Sequence, residues 1–154
     1  LLGVSEESVD DIRHRDAANA AHLAAIPTAV RERWVGGAER GLLPGTADAQ
    51  TIFRMGEDTR SCMAVRRNCA HQNKALVGYL LAGNVRLVVM RNDAGRVEAR
   101  AVARLLLRRD TMAPVLFCEE VYFASGASDA LKRRVEEEAA ELARAVGVPL
   151  YSIG

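Results

Sequence analysis

One short window of the sequence, residues 53–74, holds the residue types that most often do chemistry in proteins. It reads FRMGEDTRSCMAVRRNCAHQNK and contains two of the chain's three cysteines and one of its three histidines, among acids and arginines. A cysteine in the first turn of a helix is a strong nucleophile, because free backbone N–H groups and the helix dipole stabilise its thiolate. If Asp58, Thr59 or Ser61 caps a helix, Cys62 occupies such a position.

Cys62 is therefore the candidate nucleophile of a cysteine-dependent hydrolase or transferase. His71 is its candidate base, provided that the chain folds back to bring the imidazole within hydrogen-bond reach. Asp58 completes the candidate catalytic set as an acid of the same window. Arg66 and Arg67 are nearby cations that would lower the pKa of the thiol and bind a negatively charged group. The window contains neither a glycine-rich oxyanion motif nor a C-x-x-C redox pair.

Two other roles for the cysteines compete with catalysis. Cys62 and Cys69, seven residues apart, suit the buried face of one helix, which is where free cysteines are usually found. A zinc site would use Cys62, Cys69, His71 and Cys118. Its C-x6-C-x-H spacing lacks the short C-x2-4-C pairs of compact zinc sites. We therefore expect no metal and no cofactor.

A second candidate site lies in a predicted strand with the sequence EARAVAR. Alternation places four residues on the face opposite a row of alanines: Glu98, Arg100, Val102 and Arg104. If this strand pairs with residues 115–123, Arg100 can meet Glu119 across the strands. A buried pair of that kind can position a carboxylate or a phosphate. The alternative is a solvated sheet face with cross-strand charge pairs.

Helical periodicity dominates the first half of the chain. A first helix ends at Pro27, and a second short helical stretch is broken by Gly36 and Gly37. LPGTADAQ then reads as a loop and marks the one plausible internal boundary. NKALVGYLLAGN reads either as a helix that ends at Gly83 or as the first arm of a hairpin that turns at Gly83 and Asn84, and the spacing of its apolar residues favours the helix. We therefore divide the chain into an N-terminal helical segment, residues 1–42, packed on a core of residues 51–154.

From about residue 84 the pattern changes to that of strands. NVRLVVM and RVEARAVARLLL form a hairpin whose NDAG turn places Gly95 at positive φ, and VLFCEEVYF adds a third strand. Ser128 caps a helix that ends at Gly147, and VPLYSI provides a short closing strand. The sequence predicts an α+β fold, with a three- to four-stranded antiparallel sheet and helices packed on one face.

The order of these elements over residues 84–153 resembles the later half of an N-acetyltransferase of the GNAT type. That family marks the junction between strand and helix with an R/Q-x-x-G-x-G/A phosphate loop. The corresponding stretch here is VYFASGASDALK, in which only Gly126 matches. The resemblance is one of element order, and it implies neither acetyl-CoA nor any site residue for this chain.

Composition narrows the class of function. The net charge is +1, and the few aromatic residues are scattered rather than interleaved with basic ones, so we expect no nucleic acid partner. No apolar run approaches the ~18 residues of a membrane span, and we expect no membrane partner. Three cysteines are too few and irregular for a disulfide framework, which favours a soluble protein of the cytoplasm.

The chain opens with LLGVSEESVDD, without an initiator methionine, so we interpret it as a piece of a longer protein. We therefore expect a protein-binding or regulatory module. It would contact another protein, or another domain of the same chain, through residues 58–74 or a sheet edge. A small cysteine-dependent enzyme built on Cys62 is the alternative.

Overall fold

The computed structural model describes residues 18, 20–39, 41, 45–64, 70–126 and 128–152, with the backbone alone at 38, 39 and 70–74. The fold is α+β, as predicted. After a helical stretch at residues 20–25, the helices are α1 (Thr28–Glu39), α2 (Ala49–Asp58), α3 (Ala70–Leu81) and α4 (Asp129–Val146). The strands are β1 (Val85–Arg91), β2 (Val97–Leu107), β3 (Pro114–Cys118), β4 (Tyr122–Phe123) and β5 (Leu150–Ser152).

The five strands form one mostly antiparallel sheet in the order β1-β2-β3-β5, with β4 also paired to β2. Hairpin turns join antiparallel neighbours, whereas β5 runs parallel to β3 because α4 carries the chain back across the sheet. The predicted local signals are confirmed. Gly95 has φ +74°, the Ser128 side chain caps α4, and Gly147 ends that helix with φ +77°.

The predicted third strand, residues 115–123, is interrupted by a β-bulge. Ala103 lies opposite Cys118, and Arg100 lies opposite Tyr122. Three steps along β2 therefore match four steps along its partner, so one extra residue is accommodated between β3 and β4. A bulge shifts the register and redirects the side chains that follow it.

Helices cover both faces of the sheet, so the prediction of helices on one face is wrong. On the first face, which we call the alanine face, Ala99, Ala101, Ala103 and Leu105 of β2 pack with residues of α1 and α4 in one buried cluster. The second face, which we call the arginine face, carries Glu98, Arg100, Val102 and Arg104. Val102 packs there with Ile52 and Met55 of α2 and Leu76 of α3. The charged residues of the arginine face are typical of a solvent-exposed sheet face. In the structure this face is covered by α2 and α3 and forms a second buried layer.

Two further boundaries differ from the sequence prediction. Helix α1 continues through Gly36 and Gly37, because Val30 and Trp34 anchor it in the core of the alanine face. Tertiary packing thus outweighs the glycine penalty of about 1 kcal/mol per residue. The expected loop at residues 43–50 ends early, because the Asp48 carboxylate accepts the N–H of Thr51 and begins α2.

Candidate functional site

The chain turns sharply after α2, at residues 59–64, which we call the 59–64 turn. The N–H of Arg60 donates to the carbonyl of Glu57 at 3.3 Å, and the N–H of Ser61 donates to that of Gly56 at 3.0 Å. These two bonds define a Schellman motif. Arg60 has φ +51° and occupies the left-handed position that glycine usually takes.

The predicted position of Cys62 in the first turn of a helix is therefore wrong. Asp58 is the last residue of α2 and Thr59 is its C-cap, so Cys62 follows a helix C-terminus. Backbone carbonyls, and the negative end of the helix dipole, lie at that end of a helix. The physical reason is that this helix begins earlier than predicted: its N-cap is Asp48, ten residues before Asp58.

Gly56 allows the 59–64 turn to fold back onto α2. A Cβ atom on Gly56 would lie 2.3 Å from the carbonyl carbon of Met63 and 2.4 Å from the nitrogen of Ala64. Both are backbone atoms, which cannot rotate away as a side chain can. The missing side chain at this position therefore sets how closely the turn approaches the helix, and hence where Ser61 and Cys62 lie.

The turn covers Arg100, which projects from the arginine face of β2. The Arg100 side chain donates from Nε to the Thr59 hydroxyl at 3.4 Å and from Nη2 to the Ser61 hydroxyl at 3.1 Å. Its Cζ lies 4.5 Å from the centroid of the Tyr122 ring. The residue is only 1% exposed and is among the largest fully buried side chains.

Arg100 has no ion-pair partner within the part of the chain that the structure describes. The Thr59 hydroxyl donates its own hydrogen to the Met55 carbonyl at 2.6 Å, so towards Arg100 it can only accept. Both hydroxyl partners are neutral. Burial lowers the pKa of Arg100 from its ordinary value, because desolvation outweighs the opposing effects of Tyr122, Tyr79, Glu119 and Cys62. A guanidinium has five N–H donors, and only two of them have acceptors among the described residues.

The predicted pair between Glu119 and Arg100 is wrong, because Glu119 pairs with Arg104. Arg104 donates from Nε to Glu119 at 2.5 Å and from Nη2 to the Tyr79 hydroxyl at 3.2 Å. The bulge determines a different partner of Arg100. It begins at Glu119, whose N–H binds the Val102 carbonyl, and its extra residue brings Tyr122 opposite Arg100.

Within the described part of the chain, the structure does not bring the other predicted catalytic residues together with Cys62. Asp58 accepts the N–H of Val97 at 3.3 Å and pairs with Arg54 at 3.4 Å, which ties α2 to the start of β2. His71 lies in α3, but its side chain is outside the described part of the chain. Arg66 and Arg67 are also outside the described residues. Catalysis by Cys62 and His71 therefore stays a prediction.

The sheet separates the two cysteines that the structure describes. Cys62 is exposed beside the arginine face, whereas Cys118 is buried in the cluster of the alanine face, so they cannot share a zinc ion. Desolvation by burial raises the pKa of Cys118 to about 11. Cys69 lies outside the described residues. Among those residues, no group of three or more His, Cys, Asp or Glu side chains is placed to hold a metal ion.

Sequence reasoning identified Arg100 but missed its partners. The sequence indicates Thr59 and Ser61 only as possible helix caps and Tyr122 only as a strand residue. Thr59 and Ser61 lie 41 and 39 residues from Arg100 in the chain, so no local pattern joins them. Gly56 was the one available signal, since an isolated glycine within a helix can mark close approach of another backbone.

A separate polar cleft of about 310 Å³ lies between α2 and the β1–β2 hairpin. Its main charged groups are already engaged. Arg91 donates to the Thr51 hydroxyl at 2.6 Å and to the Gly95 carbonyl at 3.0 Å, and Arg54 pairs with Asp58. The cleft therefore lacks a group as poorly compensated as Arg100.

Comparisons with known proteins leave the function open. No protein-family profile matches the chain, and no curated protein sequence matches it significantly. A high-resolution X-ray structure of a tetramutant of the BH1408 protein from Bacillus halodurans is similar, with a TM-score of 0.49 and 12% identity. The similarity covers 71% of this chain and 79% of that one, and so distant a likeness says nothing about function. None of the described helices is long and apolar enough to cross a membrane.

Proposed function

We propose that this chain is a binding or regulatory module that recognises an acidic group of its partner at Arg100, through the 59–64 turn. The partner is another protein or another domain of the same chain, in the cytoplasm. The observation that carries the proposal is the buried Arg100 guanidinium, which has two neutral hydroxyls and an aromatic ring as its partners in place of a carboxylate.

The energetic argument is that a buried charge without a counter-ion is costly to keep. The effective penalty for burying one ion is several kcal/mol, and neutral hydrogen bonds recover only part of it. Arg104, on the same strand and face, illustrates the ordinary solution, because it pairs directly with Glu119. A fold that leaves Arg100 unpaired retains a positive charge that an incoming anion can neutralise.

The 59–64 turn supplies the other features of a binding surface. Cys62, within the turn, is exposed to solvent. The backbone N–H groups of Cys62 and Met63 have no acceptor among the described residues. Consecutive unbonded N–H groups in a turn are favourable donors to an anion.

Thermal unfolding in different anions tests the proposal. An anion that binds the native state raises the melting temperature by mass action, by about 3 to 6 °C at ten times its Kd for a chain of this size. Sodium acetate and inorganic phosphate, each compared with sodium chloride at equal ionic strength, stand in for the acidic group. We expect at least one of them to raise the melting temperature of the wild-type chain and of Arg108→Gln, but not that of Arg100→Met.

Arg108→Gln is the matched control, because it removes the same unit of charge from an exposed arginine that pairs with Asp110. A stabilisation that is equal in all three proteins would be a general salt effect and would refute the proposal. So would the absence of any difference between the two anions and chloride in the wild-type chain.

A further inference from the structure

We infer that the group bound by Arg100 is a single carboxylate, held by two parallel hydrogen bonds from the Nη1–Nη2 edge of the guanidinium. This inference rests on the proposed function and specifies its ligand. It follows from three features of the site: its hydrogen-bond geometry, its aromatic cover and its charge.

The geometry leaves one edge of the guanidinium available. Thr59 and Ser61 accept from Nε and Nη2, which lie on the same edge of the planar group. Nη1, and the second N–H of Nη2, have no acceptor in the described ranges. These two nitrogens form the end of the fork, whose parallel N–H bonds match the two oxygens of a carboxylate.

The Tyr122 ring restricts the direction of approach. The ring centroid lies 4.5 Å from Cζ of Arg100, so the ring covers one flat face of the guanidinium. A ligand cannot stack on that face, and the unused N–H groups of Nη1 and Nη2 point outwards in the plane of the group. In-plane approach to a guanidinium edge is the geometry in which a planar carboxylate binds with both oxygens.

The charge of the site favours a monoanion. Arg100 contributes one positive charge, and the neighbouring cation, Arg104, is already paired with Glu119. A carboxylate therefore neutralises the site one to one. A phosphate dianion would leave one negative charge uncompensated in a buried position that is also within the field of Glu119.

Two sources can supply this carboxylate, a small carboxylic acid or an acidic side chain of a peptide. NMR titration of the folded chain distinguishes them by following the Nε–H resonance of Arg100 and the backbone amides of Ser61 and Cys62. The probes are sodium acetate, acetamide as its uncharged isostere, inorganic phosphate, and a Gly-Glu-Gly tripeptide blocked at both ends. The same tripeptide with Gln in place of Glu is the peptide control.

We expect saturable shifts with acetate and none with acetamide. If the Glu tripeptide saturates the site at a lower concentration than acetate does, the natural ligand is an acidic side chain of a peptide. If acetate saturates the site at the lower concentration, the ligand is a small carboxylic acid. Either order supports the carboxylate. The variant Arg100→Met should bind the preferred probe at least about tenfold more weakly, while Arg108→Gln should bind it as the wild type does. Arg100→Lys keeps the charge without the fork and should lose about tenfold as well.

The outcomes separate this inference from the proposed function. Shifts with phosphate but not with acetate would overturn the carboxylate and leave an anion site at Arg100. Equal binding by Arg100→Lys and the wild type would overturn the two-bond contact. If no probe shifts the Arg100 resonance, both the carboxylate and the anion-binding function are refuted.

Discussion

Replacing Arg100 by methionine should make the protein more stable, although it removes one of the most deeply buried side chains. We expect the free energy of unfolding to rise by about 1 to 2 kcal/mol. A buried arginine that serves the fold behaves in the opposite way, since breaking a buried ion pair typically costs about 3 to 5 kcal/mol. The sign of the change therefore distinguishes a binding group from a structural one.

The magnitude follows from the contacts of Arg100. The substitution loses two hydrogen bonds to hydroxyls, of which the one to Thr59 is long at 3.4 Å, and the contact with the Tyr122 ring. These interactions together contribute about 3 to 4 kcal/mol. Removing the charge abolishes a desolvation penalty of about 5 kcal/mol. The Thr59 hydroxyl keeps its bond to the Met55 carbonyl, so the substitution leaves that hydroxyl with one partner.

Urea unfolding of the wild type, Arg100→Met and Arg104→Met measures these differences. Arg104→Met is the matched control, because Arg104 lies on the same face of β2 but forms an ion pair. Its pair is partly exposed, with 30% and 27% of the two side chains accessible, so we expect a modest loss of about 1 kcal/mol. A loss of stability in Arg100→Met, in place of the expected gain, would refute the view that Arg100 is poorly compensated.

The remaining predictions concern packing, capping and thiol reactivity. Gly56→Ala should lose about 1 to 3 kcal/mol in urea unfolding, because its new methyl group meets the turn backbone at 2.3 Å. Gly78→Ala, which meets nothing within 4 Å, should gain about 0.5 to 1 kcal/mol, and equal effects would contradict the close approach. Asp48→Ala should cost about 1 kcal/mol at neutral pH. Burial raises the Asp48 pKa, but bonds from two threonines outweigh it and lower the pKa overall. The cost should therefore fade as the pH falls below about 4 in urea titrations, and a constant cost would exclude a carboxylate cap. Mass spectrometry should find iodoacetamide on Cys62 before Cys118 at pH 8, and equal rates would contradict the burial of Cys118.

The sheet and the last helix were predictable because their signals are local. Along strand β2 the side chains alternate between the two faces of the sheet. The hairpin turn before β2 and the ends of α4 are marked by residues with a specific backbone or capping role. Gly95 allows the hairpin turn, and Ser128 and Gly147 bracket α4. Each of these signals acts within a few residues, so the fold of this region follows from short stretches of sequence.

The second buried face and the site were not predictable in the same way. Burial of the arginine face depends on α2 and α3, which precede β2 and reach it only in the folded chain. The contact of Arg100 with Tyr122 depends on a bulge of one residue, and alternation alone gives no reason to insert it. The partners of Arg100 depend on a turn about 40 residues away in sequence. These features arise from tertiary packing, which hydrophobic periodicity does not encode.

Trp34 is a fluorescent probe that reports on the alanine face of the sheet and not on the arginine face. It is the one tryptophan in the sequence, it is 3% exposed in the alanine-face cluster, and its indole N–H donates to the Gly83 carbonyl at 2.7 Å. Its fluorescence will therefore follow the detachment of α1 from the sheet, while events around Arg100 leave it unchanged. Recorded together with the Arg100 side-chain resonance during denaturation, it would show whether the two faces come apart in one step or one after the other.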